Sequence, residues 1–189
     1  YNDHYVCNQL WVNILETPGA FHVPHIHGTG ETLFAPVMGW NSYQIAFYNS
    51  NFKNFIATDV IPDVVENGKL LHDEYKKFCD NSLFAMGEKN VDLYLCPSEQ
   101  LDSKHNFGQK YKESVDAVLL SPPYFDLELY PSDDQSFDSF PDYQTWLKGY
   151  WEETVKLSVE VMKKNAKFGF VISNYVNRQK QMTTISEDL

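Results

Sequence analysis

Four short apolar runs in this chain each stop where a strand cannot continue, and segments of helical period lie between them. "LFAPVM" (33–38) stops at Gly39, "NFIATD" (54–59) at an acid just before Pro62, "VDLYLC" (91–96) at Pro97, and "VDAVLL" (115–120) at Ser121-Pro122-Pro123-Tyr124. A proline cannot donate a ladder hydrogen bond, so the chain must leave its sheet there. After the first run, "WNSYQIAFYNS" places Tyr43, Ile45, Ala46 and Phe47 as a helix would. After the second, Pro62 opens a helix with Val64, Val65, Leu70, Leu71, Tyr75 and Phe78 near helical spacing. "DYQTWLKGYWEETVKLSVEVMKK" (142–164) predicts a long helix and "FGFVISNY" (168–175) a fifth strand. Strands alternating with helices predict an α/β fold with a mainly parallel, doubly wound sheet, whose ligands bind outside the carboxyl ends of the strands.

The residues that interrupt the four runs all fall at those ends. Gly39 follows strand one, Asp59 closes strand two, Ser98 and Glu99 follow strand three, and the double proline follows strand four. An acid about 20 residues after a glycine turn has the placement that hydrogen-bonds a ribose diol in dinucleotide folds, and Asp59 meets that spacing from Gly39. The alternative is that Asp59 only caps the helix entering at Pro62. In the loop, the prolines fix the backbone so that the Ser121 hydroxyl and the Pro122 carbonyl can both accept hydrogen bonds from a planar amino group, and Tyr124 can stack on the ring that carries it. Two acceptors on its hydrogens draw a delocalised amine towards a nucleophilic geometry, with no metal or strong base needed.

These residues in this order carry a resemblance. The series "FAPVMGWNSY", "IATD", "DLYLCPSEQL", "DAVLLSPPYFDLELY" and "FGFVISNY" resembles S-adenosylmethionine-dependent amino-methyltransferases with a Ser/Asn/Asp-Pro-Pro-Tyr loop, and is most similar to the branch that modifies cytosine or adenine in DNA, as in restriction–modification. The resemblance implies a Rossmann-like class I methyltransferase fold with S-adenosylmethionine as cofactor. It places Pro36, Met38, Gly39, Trp40, Asp59, Val60, Ser98 and Ser121 around that cofactor. Ser121, Pro122, Pro123 and Tyr124 become the catalytic loop, and Tyr124, Phe125 and Tyr130 the walls of a base pocket. The family usually has two glycines in its first loop, whereas Gly39 stands alone here, so close backbone approach rests on one position. Related enzymes methylate ribosomal RNA bases or glutamine side chains, so the loop identifies an amino or amide nitrogen before it identifies DNA.

Composition limits the partners. The 189 residues, 43% of them hydrophobic, suffice for one core, divided as an N-terminal extension (1–30), a catalytic domain (31–177) and a tail or start of a further segment (178–189). Net charge is -11 and Arg178 is the only arginine, so a basic face for a phosphate backbone is not evident. Nucleic acid, with DNA favoured, is therefore expected to be held through further segments or a basic partner, which admits a hetero-oligomer. The chain opens on Tyr1 and ends on "RQKQMTTISEDL", which reads as a piece lacking the last strands of the family's sheet, with no packing element at its end. Cys7, Cys79 and Cys96 form no CxxC pattern, as reduced thiols of an intracellular protein would, in cytoplasm or nucleoid. No apolar run reaches membrane length and no signal peptide is evident.

Other clusters have plainer explanations. His22, His25 and His27 lie in a loop without a neighbouring Cys or carboxylate, so no metal is expected. Tyr143, Trp146, Tyr150 and Trp151 have the spacing of a helix's core face rather than of a stacking platform. Asp126, Glu128, Asp133, Asp134 and Asp138 read as a solvated tract. The competing function is a catalytically weak or inactive methyltransferase-like domain kept for binding or assembly, to which the altered glycine loop and acidic charge are equally suited.

Overall fold

The computed structural model describes residues 30–81, 87–125, 136–176, 180 and 182–188. Five parallel strands, β1 (Thr32–Ala35), β2 (Asn54–Asp59), β3 (Asn90–Leu95), β4 (Val115–Leu120) and β5 (Met162–Phe170), form one sheet in the order β3-β2-β1-β4-β5. This is a Rossmann-like α/β sheet, in which the direction of winding reverses between β1 and β4.

Strand residues point alternately to the two faces, and the core divides accordingly. Leu33, Ala35, Phe55, Ala57, Ala117 and Leu119 pack on one side with Phe47 of helix α1 (Ser42–Tyr48) and Val64 and Val65 of helix α2 (Pro62–Asn81). Phe34, Ile56, Val118 and Leu120 pack on the other. Their partners there are Leu101 of α3 (Leu101–His105), Phe107 of α4 (Phe107–Lys110), and Trp146, Tyr150 and Leu157 of the helix preceding β5. The sheet is thus covered on both faces, as doubly wound folds require. Short helix α5 (Ser136–Ser139) precedes that last helix.

The helix before β5 begins as α6 (Tyr143–Trp146), widens to a π-helix over Leu147–Glu152 and continues as α7 (Glu153–Val161). Asp142 and Thr145 form a capping box at its start, with Thr145 N donating to Asp142 Oδ1 at 2.9 Å. In π geometry residue i+5 comes round to residue i, so Trp146, Tyr150 and Trp151 are all buried, at 0%, 3% and 8% exposure. The core assignment of these rings therefore holds.

β1 ends at Ala35 rather than Met38 and β3 is displaced by one residue from 91–96, but the larger differences from the sequence expectation surround β5. The helix ends at Val161, not Lys164, and β5 runs from Met162 to Phe170 instead of 168–175. The early start depends on tertiary contacts. Lys163 Nζ lies 2.9 Å from both carboxylate oxygens of Asp116, and Asn165 at φ 70 absorbs a bulge between the Val115 and Ala117 pairings of β4. Tyr175 belongs to a two-residue strand β6 (Tyr175–Val176), antiparallel to β7 (Met182–Thr183). The chain end also packs, contrary to expectation. Ile185 of α8 (Ile185–Asp188) is fully buried, and Tyr143 Oη donates to Asp188 Oδ2 at 2.8 Å.

Candidate functional site

The site begins where β1 and β4 lie side by side, paired through Leu33 with Ala117 and Phe34 with Val118. Beyond its end β1 leads to α1 on one face of the sheet, whereas the chain after β4 leads to the helix that packs on the other. Diverging connections open a crevice at the carboxyl ends of the two strands. The segments that leave the sheet there are Pro36 to Asn41 after β1 and Ser121 to Tyr124 after β4.

Gly39, Trp40 and Asn41 adopt φ values of 55, 55 and 65 in succession. Glycine takes this conformation freely and asparagine readily, but for Trp40 it costs about 1–2 kcal/mol. Several hydrogen bonds hold the turn. Ser42 donates to the Gly39 carbonyl from its amide at 3.0 Å and from its hydroxyl at 2.6 Å. Asn41 Nδ2 donates to the Val64 carbonyl at 3.0 Å, tying the turn to the first turn of α2. Met38 is fully buried and Pro36 is buried, while Trp40 remains 55% exposed.

Asp59, at the end of β2, accepts the Ile61 amide on Oδ1 at 3.0 Å, so its part in turning the chain towards α2 is real. Burial pushes its carboxyl above the usual range, against the opposing pull of the Ile61, Met38 and Val60 amides. The Met38 amide belongs to the β1 loop, so the acid and that loop share one neighbourhood. Half-buried Val60 follows directly. Ser98 lies in a short 3-10 turn (Ser98–Gln100) after β3. Its hydroxyl is buried and bonded to Thr154 Oγ1 at 2.8 Å, so any contact with a ligand falls to its backbone.

In the second loop Pro122 is buried, while Ser121, Pro123 and Tyr124 are half-buried. The Tyr124 ring meets Tyr175 edge-on at 5.1 Å between centroids. Its hydroxyl lies 3.2 Å from Ser173 Oγ and accepts the Ser173 amide at 3.2 Å. Phe125 instead joins the helix rings, 5.9 Å from Trp146 and 6.0 Å from Tyr143, so it backs the loop against the core. Tyr130, with Asp126, Glu128, Asp133, Asp134, Cys7 and the three loop histidines, lies outside the described residues. Asp138 is exposed. Among the described residues no group of three His, Cys, Asp or Glu side chains could hold a metal, and no helix is long and apolar enough to cross a membrane.

Sequence reasoning missed two supports of this arrangement, Asn41 and Ser173. An asparagine two residues beyond a glycine turn signals a left-handed position, and it was the available clue to the first. Ser173 gave none, because its role exists only once β5 lies beside β4.

No protein-family model and no curated protein matches the chain. Among solved structures its fold is similar to that of the PH0226 protein from Pyrococcus horikoshii OT3, with a TM-score of 0.54 at 10% identity over 92% of this chain and 70% of that one. Geranyl diphosphate methyltransferase in complex with GPP and sinefungin matches with a TM-score of 0.48 at 12% identity, over 80% of this chain and 42% of that one. Spermidine synthase in complex with the transition-state analogue AdoDATO matches with a TM-score of 0.46 at 12% identity, over 80% and 43%. The chain thus spans less than half the length of the latter two.

Proposed function

We propose that this domain transfers a methyl group from S-adenosylmethionine to an exocyclic amino nitrogen of a nucleic-acid base, cytosine or adenine in DNA being the favoured target. The observation that carries the reading is the position of Ser121-Pro122-Pro123-Tyr124 at the end of β4, beside the Gly39 turn at the end of β1, where the strand order reverses. Of all sites in such a sheet, this is the one suited to hold two reactants together.

The residues fit the cofactor in kind. Gly39, at φ 55, permits close backbone approach, and the two Asp59 carboxylate oxygens, with about four lone-pair sites, retain acceptor capacity beyond the amides of Ile61, Met38 and Val60. Pro36, Met38, Trp40, Val60 and the Ser98 backbone would complete the cradle, with Ser121 at the junction. When bound, S-adenosylmethionine supplies an electrophilic methyl group. The chain's own contribution is to orient the amine. The Ser121 hydroxyl and Pro122 carbonyl accept its hydrogens, and Tyr124, anchored by Ser173, supports the ring. S-adenosylmethionine would offer that methyl group with a neutral thioether as leaving group, and Ser121, Pro122 and Tyr124 would present the amine nitrogen to it. Positioning of this kind is enough where the leaving group is a neutral thioether.

Calorimetric titration with S-adenosylhomocysteine, followed by transfer of labelled methyl to cytosine- and adenine-containing DNA, tests the reading. Micromolar binding with label recovered on a base amine is the expected result. No binding at millimolar ligand overturns it. Binding without transfer to any base would favour the non-catalytic alternative, for which the single glycine of the first loop speaks.

A further inference from the structure

The loop after β4 is held at two neighbouring rings, and both holds lead to the same short helix. Tyr124 is met by Ser173, whose amide and hydroxyl each lie 3.2 Å from its Oη, and by the Tyr175 ring, edge-on at 5.1 Å. Between those two residues, Asn174 Oδ1 accepts from the Ser186 amide at 3.0 Å and from the Ser186 hydroxyl at 2.7 Å. Phe125, the next residue of the loop, meets the Tyr143 ring at 6.0 Å, and Tyr143 Oη donates to Asp188 at 2.8 Å. Ser186 and Asp188 both belong to α8. The contacts therefore close a ring, from Tyr124 through residues 173–175 to α8 and back through Tyr143 to Phe125.

Short as it is, α8 is a firm anchor for that ring. Ile185 is fully buried and Tyr175 is 8% exposed, in the same core cluster as Trp146 and Tyr150, and the pairing of Tyr175 with Thr183 joins β6 to the strand that leads into the helix. The hydrogen bonds on Tyr124 are weaker. Both stand at 3.2 Å, the long end of the range, and both are exposed to water, so the ring follows the backbone of residues 173–175 rather than fixing it. Asn174, with two shorter bonds, is the side chain that ties that backbone down. We infer that Asn174 is a positioning residue: by joining the segment 173–175 to α8 it sets the place of the Tyr124 ring, which supports the base. The inference rests on the amino-methyltransferase reading and adds to that site a residue acting through Tyr124 rather than on either reactant. Placement matters to such a reaction, in which a displacement of about 1 Å can lower the rate about a hundredfold.

Two readouts test this in the full chain. The Tyr124 ring resonances, identified by their absence in Tyr124→Phe, should move and broaden in Asn174→Ala without any ligand present, and should keep their wild-type positions in Asn174→Asp, which retains an acceptor for Ser186. In single-turnover methyl transfer to cytosine- and adenine-containing DNA, Asn174→Ala should be slower by about 3- to 30-fold while S-adenosylhomocysteine affinity stays within about twofold. Asn174→Asp should recover most of the rate, and Ser186→Ala, which loses one of the two bonds, should fall between. In a Tyr124→Ala background, Asn174→Ala should cost less than about a further twofold because the ring it positions is gone, whereas a residue that only stabilised the fold would give additive losses. If the wild type transfers no methyl, the underlying reading falls and this one with it. If it does, but Asn174→Ala leaves the rate and the Tyr124 resonances unchanged, or the two losses add, only the positioning role is overturned.

Discussion

Asp59→Asn separates ligand binding from helix entry at a single position. Asparagine keeps an oxygen to accept the Ile61 amide, so the turn bonded at 3.0 Å survives, while the charge is removed. Burial raises the Asp59 carboxyl above its unfolded value, outweighing the amides of Ile61, Met38 and Val60. The folded state therefore binds the proton more tightly than the unfolded chain in the window above the ordinary aspartate range. The stability this lends is present below that window and is lost as pH rises through it. At neutral pH the charged form is a cost to the fold, and Asp59→Asn should melt at or above the wild-type temperature. If Asp59 holds a cofactor ribose as proposed, the same substitution removes a charge-assisted hydrogen bond to the diol, about 1.5–3 kcal/mol. S-adenosylhomocysteine should bind roughly 10- to 150-fold more weakly by calorimetry. Asp59→Ala should show the same binding loss and additionally lose about 0.5–2 kcal/mol of stability, since no side chain remains to bond Ile61. In the wild type, affinity should fall on acidification at a higher pH than an ordinary aspartate would dictate. Normal binding by Asp59→Asn, with only Asp59→Ala destabilised, would refute the ribose role and leave Asp59 a turn residue.

Tyr124→Phe loses the two contacts with Ser173 at 3.2 Å but keeps its ring, so turnover should fall severalfold while S-adenosylhomocysteine affinity is unchanged; Tyr124→Ala should lower turnover much further, as single-turnover kinetics would register. Asn41→Asp tolerates the left-handed backbone but cannot donate to Val64, and it should destabilise by about 1–3 kcal/mol in chemical denaturation because a buried hydrogen bond is lost and a second acceptor oxygen is buried where the donor stood. Gly149→Ala would drive a methyl group into the Phe140 ring and should cost about 1–3 kcal/mol in the same assay. This chain alone should bind duplex DNA weakly, given its charge of -11, and tight, salt-sensitive binding in an anisotropy titration would contradict that.

The strands β2 and β4 were legible to the residue because their ends are written locally, in Asp59 before Pro62 and in Ser121 before two prolines. The start of β5 was not, since "MKKNAK" has no apolar period and is made into a strand only by pairing with β4 and by the Lys163–Asp116 bridge. Ser98 illustrates the same limit within the site. Its position after β3 followed from Pro97, but nothing in the sequence announced that its hydroxyl meets Thr154, 56 residues away. Strand ends are encoded by neighbours along the chain, and side-chain directions by neighbours across the fold.

Charge distribution bears on what the site can be offered. Many of the described lysines are committed to nearby acids, Lys53 to Glu31, Lys69 to Glu66, Lys77 to Glu74, Lys110 to Asp92, Lys156 to Glu152 and Glu153, and Lys163 to Asp116. Lys89 is held by the carbonyls of Ser50 and Phe52 after α1. A paired cation presents a dipole to its surroundings, and a dipole's field falls away faster than that of a free charge, so these lysines do little to offset the net negative potential at long range. Phosphates approaching the crevice would be repelled, while a neutral base would not be. A nucleic-acid substrate is thus best served if cations from outside the described surface hold the backbone and deliver an unstacked base. Half-buried Tyr124, in the loop after β4, carries a ring whose attraction for such a base would not depend on charge.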